Sequence, residues 1–335
     1  MSGTPLFGRR RLLQMVGGAG IAVLAGCRAS GAIPRLSTTA GTLPKPWLQS
    51  LPKPWQTVLL KSSDQDGLAG RAFGDGADLI ALTDGWLATL ADDALQTIAS
   101  GPLRSHLDPV ANLFLKGLGP GRASRVLPVG VSPWVMLFRR GEAWVSGDQR
   151  SWDVLLSPEL KGRVVLPASP RLVMALADQM EAPDALSRLR GQVLSFDDRQ
   201  GMNWLLKDRA RVVVLPLQRC MRFLRRDPRL SALLPESGAP LHWTVLVRPA
   251  GTREPLPRSW VQSAWEQPLL MRLLDLGWRA PVKDPAPQEL RSRFPSRWSS
   301  LLLPPPEIWS RCWSLAPLNA EQQAMFVERW MASSP

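Results

Sequence analysis

The chain has no tyrosine, two histidines and three cysteines in 335 residues. Without tyrosine, any chemistry that needs a phenolate is excluded. His106 and His242 are too few and too far apart in sequence to suggest a zinc site. No serine sits in a G-x-S-x-G elbow. Gly117-Leu118-Gly119-Pro120-Gly121 lacks the Gly-Lys-Ser/Thr ending and the preceding strand of a phosphate loop. The chain also lacks a long apolar run. Met15 to Gly26 is twelve small or apolar residues, short of the roughly 20 that span a bilayer. Nothing in this inventory points to an enzyme or to a bound cofactor or metal.

Acid is scarce relative to base: 28 Asp and Glu against 41 Lys and Arg, a formal charge of +13. The cations are mostly arginine, scattered and interleaved with apolar residues. That pattern reads as a solvated basic surface, not a nucleic-acid face. Apolar content of 45% and charged content of 21% are ordinary for a folded protein long enough to bury a proper core.

The first 27 residues read as a leader. Gly8-Arg9-Arg10-Arg11-Leu12-Leu13-Gln14 resembles a twin-arginine export signal, with Arg9 and Arg10 as the pair. The short apolar run suits a signal-peptide core. Leu24-Ala25-Gly26-Cys27 resembles a bacterial lipobox, in which Cys27 is acylated and becomes the first mature residue. Acyl chains would then anchor the protein to a membrane in the periplasm or cell envelope. Residues 28 to 54 are rich in Pro, Ser, Thr and Gly and read as a tether without a core. They hold a repeat, Leu43-Pro44-Lys45-Pro46-Trp47 and Leu51-Pro52-Lys53-Pro54-Trp55. A stiff spacer and a duplication without a role both remain open. With Cys27 acylated, Cys220 and Cys312 are left. They could pair outside the cytoplasm, although a large domain needs no such staple.

The body alternates strands and helices, which predicts α/β architecture with largely parallel sheets. Strands are expected at Gln56 to Lys61, Ala77 to Leu82, Val126 to Val129, Trp134 to Phe138, Val164 to Leu166, Val193 to Phe196, Arg211 to Leu215 and Leu241 to Leu246. Asp108-Pro109 and Ser169-Pro170 each place a capping residue before a proline at the first helical position. The second helix is expected over Arg171 to Met180. Asn319 and Gln322 form a capping box for a last helix to about Met331. A helix is also read in the LATLADDAL run, and another over Glu307 to Trp313. Residues 259 to 277 read as a helical pair broken at Pro268.

Three stretches carry a resemblance. Trp152-Asp153, Leu155 and Pro158-Glu159-Leu160-Lys161-Gly162 resemble a segment of bacterial extracellular solute-binding proteins, in the polyamine (spermidine/putrescine) branch. Ala77 to Leu82 followed by Thr83-Asp84-Gly85-Trp86 resembles a cleft-lining stretch of that family. Leu234-Pro235-Glu236-Ser237-Gly238 and Leu241-His242-Trp243-Thr244 resemble its return crossing between lobes. The resemblance covers residues 56 to 331 in the expected order. It implies a two-lobed, type II periplasmic-binding-protein-like fold, with a hinge and an interlobe cleft. Lobe 1 would hold residues 55–130 and about 246–300, and lobe 2 residues 131–245 and about 301–335. It also implies a monomeric carrier that hands a small solute to an ABC permease and has no catalytic residues.

Carried over by position, the ligand-binding residues would be Thr83, Asp84, Trp86, Ser169, Arg171, Asp197, His242, Trp243 and Thr244. The chain departs from the polyamine pattern within this set. The family's acid in the return crossing falls on Thr244, its acidic pair after the central strand near Ala168 and Ser169, and its glutamate near Leu172. Asp84, Asp197 and Asp198 are the acids left to hold ammonium groups. Arg171 at a helix start, Ser169 and the positive net charge equally suit an anionic or neutral solute. An envelope interaction or assembly lipoprotein that kept the fold without ligand binding is a further reading.

Overall fold

The computed structural model describes residues 33–60, 76–145, 150–197, 199–283 and 288–334. The leader with Arg9, Arg10 and Cys27, the last residue of the strand expected at Gln56 to Lys61, and Asp198 lie outside the described residues.

Ten strands make up the described sheet: β1 (Arg35–Thr39), β2 (Gln56–Leu60), β3 (Leu79–Thr83), β4 (Leu95–Gln96), β5 (Val126–Arg139), β6 (Val164–Val165), β7 (Val193–Ser195), β8 (Val212–Pro216), β9 (Leu230–Leu233) and β10 (Leu241–Pro249). Their order is β2-β1-β3-β10-β5-β8-β6-β7, with β4 beside β10 and β9 beside β5. β2, β1 and β3 run parallel to one another, as do β8, β6 and β7. β5 and β10 run antiparallel to their neighbours between these two groups. Apolar runs such as Leu79 to Leu82 and Val212 to Leu215 are buried along their whole length, as strands covered on both faces must be.

The two short strands expected at Val126 to Val129 and Trp134 to Phe138 are one 14-residue strand. Its first half pairs with β10, up to Pro133 opposite Leu241. Its second half pairs with β8, starting at Trp134 opposite Pro216. The prolines and glycine between them are absorbed rather than breaking the strand. Gly130 faces Thr244 and Pro128 faces Val245, so Val129 is the extra residue of a β-bulge. The Val129 carbonyl accepts the Trp265 indole N–H at 3.1 Å. A Cβ on Gly130 would lie 1.9 Å from the Trp278 ring, so this position has room for glycine alone.

The tether reading does not hold for residues 33 to 54. β1 lies inside the sheet between β2 and β3. A helical turn, Lys45–Leu48, follows it and carries Trp47, which is fully buried. Trp47 stacks on Trp260 with ring centroids 4.5 Å apart and meets Trp278 at 5.1 Å. The first copy of the Leu-Pro-Lys-Pro-Trp repeat is therefore core, although the prolines around it mimic a linker. β2, expected as the first strand, is an edge strand.

Local capping signals agree with the observed helices. Asp108 accepts the Ala111 N–H at 2.7 Å and starts the helix Pro109–Gly117. Ser169 accepts the Leu172 N–H at 3.4 Å and starts Pro170–Ala177. Asn319 and Gln322 close a reciprocal capping box on Ala320–Ala332. The expected pair around Pro268 is present as Arg258–Ser263 and Leu269–Asp275. The LATLADDAL run differs: it forms two short 3-10 turns, Asp84–Thr89 and Asp92–Ala94. The helix expected over Glu307 to Trp313 is one turn, Pro306–Trp309. Cys220 and Cys312 are both buried free thiols, and burial pushes their pKa values up to about 12 and about 11.

Candidate functional site

The carboxyl ends of the two parallel strand groups meet at the middle of β5. On one side β3 ends at Thr83, opposite Thr244 of β10, which faces Gly130 of β5. β1 runs parallel to β3 with Thr38 level with Ala81, so its following loop, Thr39 to Thr42, lies beside Thr83 and Asp84. On the other side Pro216, the last residue of β8, faces Trp134. β6 runs parallel to β8 with Val165 level with Val213. Continuing that register brings Ala168 and Ser169 to the level of Pro216. Strand ends facing each other in this way are where open α/β sheets build ligand sites.

Asp84 is the acid at this junction among the described residues. β3 stops one residue too early to accept the next N–H of β10, and the Asp84 side chain supplies the acceptor. Its Oδ1 takes the Trp243 backbone N–H at 3.1 Å. The carboxyl is 15% exposed and its Oδ1 lies 4.0 Å from His242 Nδ1, whose side chain is 19% exposed. Burial raises the Asp84 pKa to about 7, against the lowering effects of backbone N–H groups and of the Arg171 charge. Burial, with the nearby Arg219 charge, lowers the His242 pKa to about 4. At neutral pH the imidazole is therefore uncharged, and the Asp84–His242 contact is not an ion pair. Trp134 presents its ring edge-on to His242 at 5.8 Å. The Ser132 hydroxyl, fully buried on β5, accepts the Gln218 N–H at 3.0 Å and ties the start of the helix Leu217–Leu224 to the junction.

Arg171 stands in the first turn of the helix after β6, half-buried. Burial lowers its pKa, while the Asp84 charge acts the other way. It makes no hydrogen bond or ion pair with any described residue.

The site residues read from the sequence fall into two groups. Thr83, Asp84, His242, Ser169 and Arg171 come to the junction. Trp86 lies half-buried on the 3-10 turn next to Asp84, packed against the core. The other three are engaged by neighbouring residues. The Trp243 indole is fully buried, stacked on Phe114 at 4.6 Å, and its N–H donates to the Ser314 hydroxyl at 2.8 Å. Thr244 is fully buried, its hydroxyl 3.5 Å from the Thr42 carbonyl. Alternation along the strand puts Trp243 on the face opposite His242, and of these two only His242 remains partly open. Asp197 lies past the end of the edge strand β7 and is held by the backbone and side chain of Arg199.

Sequence reasoning missed the loop after β1, where the Thr39 and Thr42 hydroxyls are 2.6 Å apart. It also missed Ser132 and Trp134. The hydroxyl-rich run Ser37-Thr38-Thr39-Ala40-Gly41-Thr42 is the signal that could have found the loop. The neighbouring prolines concealed it.

No family model and no curated protein sequence matches the chain. Solved structures do. A spermidine/putrescine ABC transporter substrate-binding protein from Streptococcus pneumoniae superposes with a TM-score of 0.64 at 12% identity, covering 90% of this chain and 98% of its own. A putative spermidine/putrescine ABC transporter from Listeria monocytogenes gives 0.61 at 14% identity, with 90% and 98% covered. A periplasmic thiamin binding protein gives 0.61 at 14%, with 90% and 96% covered. The fold is that of the type II periplasmic binding proteins. Within it, two of the sequence stretches that carried the resemblance touch: the buried Trp152 indole donates to the Gly238 carbonyl at 3.0 Å. Asp153 accepts the Glu181 backbone N–H at 2.9 Å. These motif residues hydrogen-bond within the fold.

Among the described residues no group of three potential metal ligands comes together. No helix among them is long and apolar enough to cross a membrane.

Proposed function

We propose that this chain is the solute-binding component of an ABC importer, capturing a small molecule at the middle of β5. The observation that carries the reading is the convergence there of Asp84, His242, Ser169 and Arg171 from the ends of β3, β10 and β6. Residues 33–130 with about 246–300, and 131–245 with about 301–335, would act as two lobes that close over the solute by hinge motion about β5 and β10. Acylated Cys27, after export directed by Arg9 and Arg10, would hold a monomer at the envelope beside its permease.

A polyamine is the finer reading suggested by the sequence resemblance, and the similar structures named for spermidine and putrescine agree with it in fold alone. Its ammonium groups need paired carboxylates when desolvated. The junction offers Asp84 as its described acid, since Thr244 stands in the core and Asp197 is engaged by Arg199.

The reading is tested by thermal unfolding in the presence of candidate solutes. A true ligand at about 100 times its dissociation constant stabilises the protein by about 2.7 kcal/mol. An interaction lipoprotein that kept the fold is favoured by the burial of Trp243 and Thr244, and it predicts no stabilisation by any solute. Cys27→Ala would release the protein from the membrane fraction under either reading.

A further inference from the structure

We propose that the solute carries an oxyanion, a carboxylate or a phosphate-like group, which the Arg171 guanidinium binds. This rests on the reading of the chain as a solute carrier. Arg171 is a half-buried cation without a hydrogen-bonding partner among the described residues. A guanidinium presents five N–H donors in a planar fork that fits an oxyanion bidentately. Several half-buried arginines of this chain spend these donors on carbonyls or carboxylates. Arg104 does so on the carbonyls of Ala123 and Val126, and Arg122 on Asp92 and the carbonyls of Leu87 and Leu90. Arg171 does not. It also stands in the first turn of the helix Pro170–Ala177, where the backbone dipole adds positive potential.

The remaining charged and titratable groups are consistent with an anion. Asp84, from the end of β3, feels the charge of Arg171, and its Oδ1 is already used by the Trp243 N–H. It does not cancel the guanidinium at neutral pH, because burial keeps it close to half-protonated. His242, from β10, is neutral and can donate or accept one hydrogen bond. Arg219, from the helix after β8, adds a second positive charge near His242. Arg171 therefore keeps its fork of donors available to a solute anion, opposite to what a polyamine requires.

The two ligand signs predict opposite pH dependence. An anion binds best when Asp84 is protonated, so its affinity falls as pH rises through about 7. A polycation needs Asp84 ionised, so its affinity rises over the same window. The full chain is titrated with inorganic phosphate, sulfate, succinate, L-glutamate, 4-aminobutyrate, spermidine and putrescine, at about pH 6 and about pH 8.5. Succinate and phosphate distinguish a carboxylate site from a phosphate site. The expected result is binding of at least one anion or zwitterion, tighter at the lower pH. Arg171→Gln should weaken it by about 10–150-fold, the range for a hydrogen bond to a charged group. Asp84→Asn should strengthen it and abolish its pH dependence. Arg171→Lys should restore part of the binding, since it keeps the charge without the fork.

Binding of spermidine or putrescine alone, tighter at the higher pH and lost in Asp84→Asn, overturns the oxyanion assignment and leaves the carrier reading standing. An anion whose affinity is unchanged in Arg171→Gln overturns the assignment to Arg171. No binding by any of the seven probes overturns both the assignment and the carrier reading.

Discussion

Trp47 and Trp260 each donate their indole N–H to the other's backbone carbonyl, both at 3.0 Å, while their rings stack 4.5 Å apart. The two residues are separated by more than two hundred positions, and both are buried. This reciprocal clasp fastens the proline-rich N-terminal stretch into the body. Trp47→Ala is expected to lower unfolding free energy by about 3–5 kcal/mol, as for other large aromatic deletions from cores. Denaturant titration measures it. A chain beginning at Trp55 should fail to fold, because it lacks β1 from inside the sheet. A spacer at this place would allow both changes without cost.

Gly130 is the second constraint on the centre of the sheet. Gly130→Ala places a methyl where the Trp278 ring already lies, and the strand cannot yield without disturbing β10. The expected loss is about 1–3 kcal/mol or more, read by chemical denaturation. A Gly130→Ala, Trp278→Leu double variant should recover part of it, because the two changes share one volume.

Asp84 and His242 predict a pH response that is hidden until one of them is removed. Asp84 titrates at about 7 when folded and near 3.8 when unfolded. Between those values the folded state holds the extra proton, so stability from this group falls as pH rises. His242 titrates at about 4 when folded and near 6.5 when unfolded. There the unfolded state holds the extra proton, so stability falls as pH drops. From about pH 4 to 6.5 the two slopes oppose each other. Asp84→Asn should expose the histidine, losing of the order of 1–3 kcal/mol on acidification below about pH 6.5. His242→Gln should expose the acid, losing a similar amount as pH rises from about 4 to about 7. The Arg171 charge acts on Asp84 and the Arg219 charge on His242. Urea unfolding across pH, for the wild type and both variants, checks the signs.

Much of the fold was legible because its signals are local. Asp108-Pro109, Ser169-Pro170 and Asn319 with Gln322 announce helix starts within four residues. Leu79 to Leu82 and Val212 to Leu215 announce buried strands by composition alone. β1 was not legible, since Arg35 to Thr39 is short, polar on average and followed by prolines. Its place in the sheet depends on partners at Gln56 and Leu79. The candidate site was half legible. Position marked out Asp84, His242, Ser169 and Arg171. It could not reveal that Trp243 turns into the core against Phe114, because strand alternation sets facing only once the register with β5 is known. The use of the Asp84 carboxyl by the Trp243 N–H is equally non-local.

Trp152 tests whether the most recognisable stretch of the chain serves the fold or the ligand. Trp152→Phe keeps the ring volume closer than alanine would, but leaves the buried Gly238 carbonyl without its donor. Stability should fall by about 1–3 kcal/mol, with solute affinity at Arg171 unchanged in isothermal titration.

A small oxyanion on Arg171 at the middle of β5 would stay with the protein through gentle isolation. Native mass spectrometry of the full chain, gently extracted from the cells that make it, tests this most directly. The expected spectrum shows a bound small molecule whose released form is an acid or a zwitterion, absent from the Arg171→Gln protein prepared alongside. A polyamine adduct retained by Arg171→Gln, or a bare protein in both preparations, would contradict it.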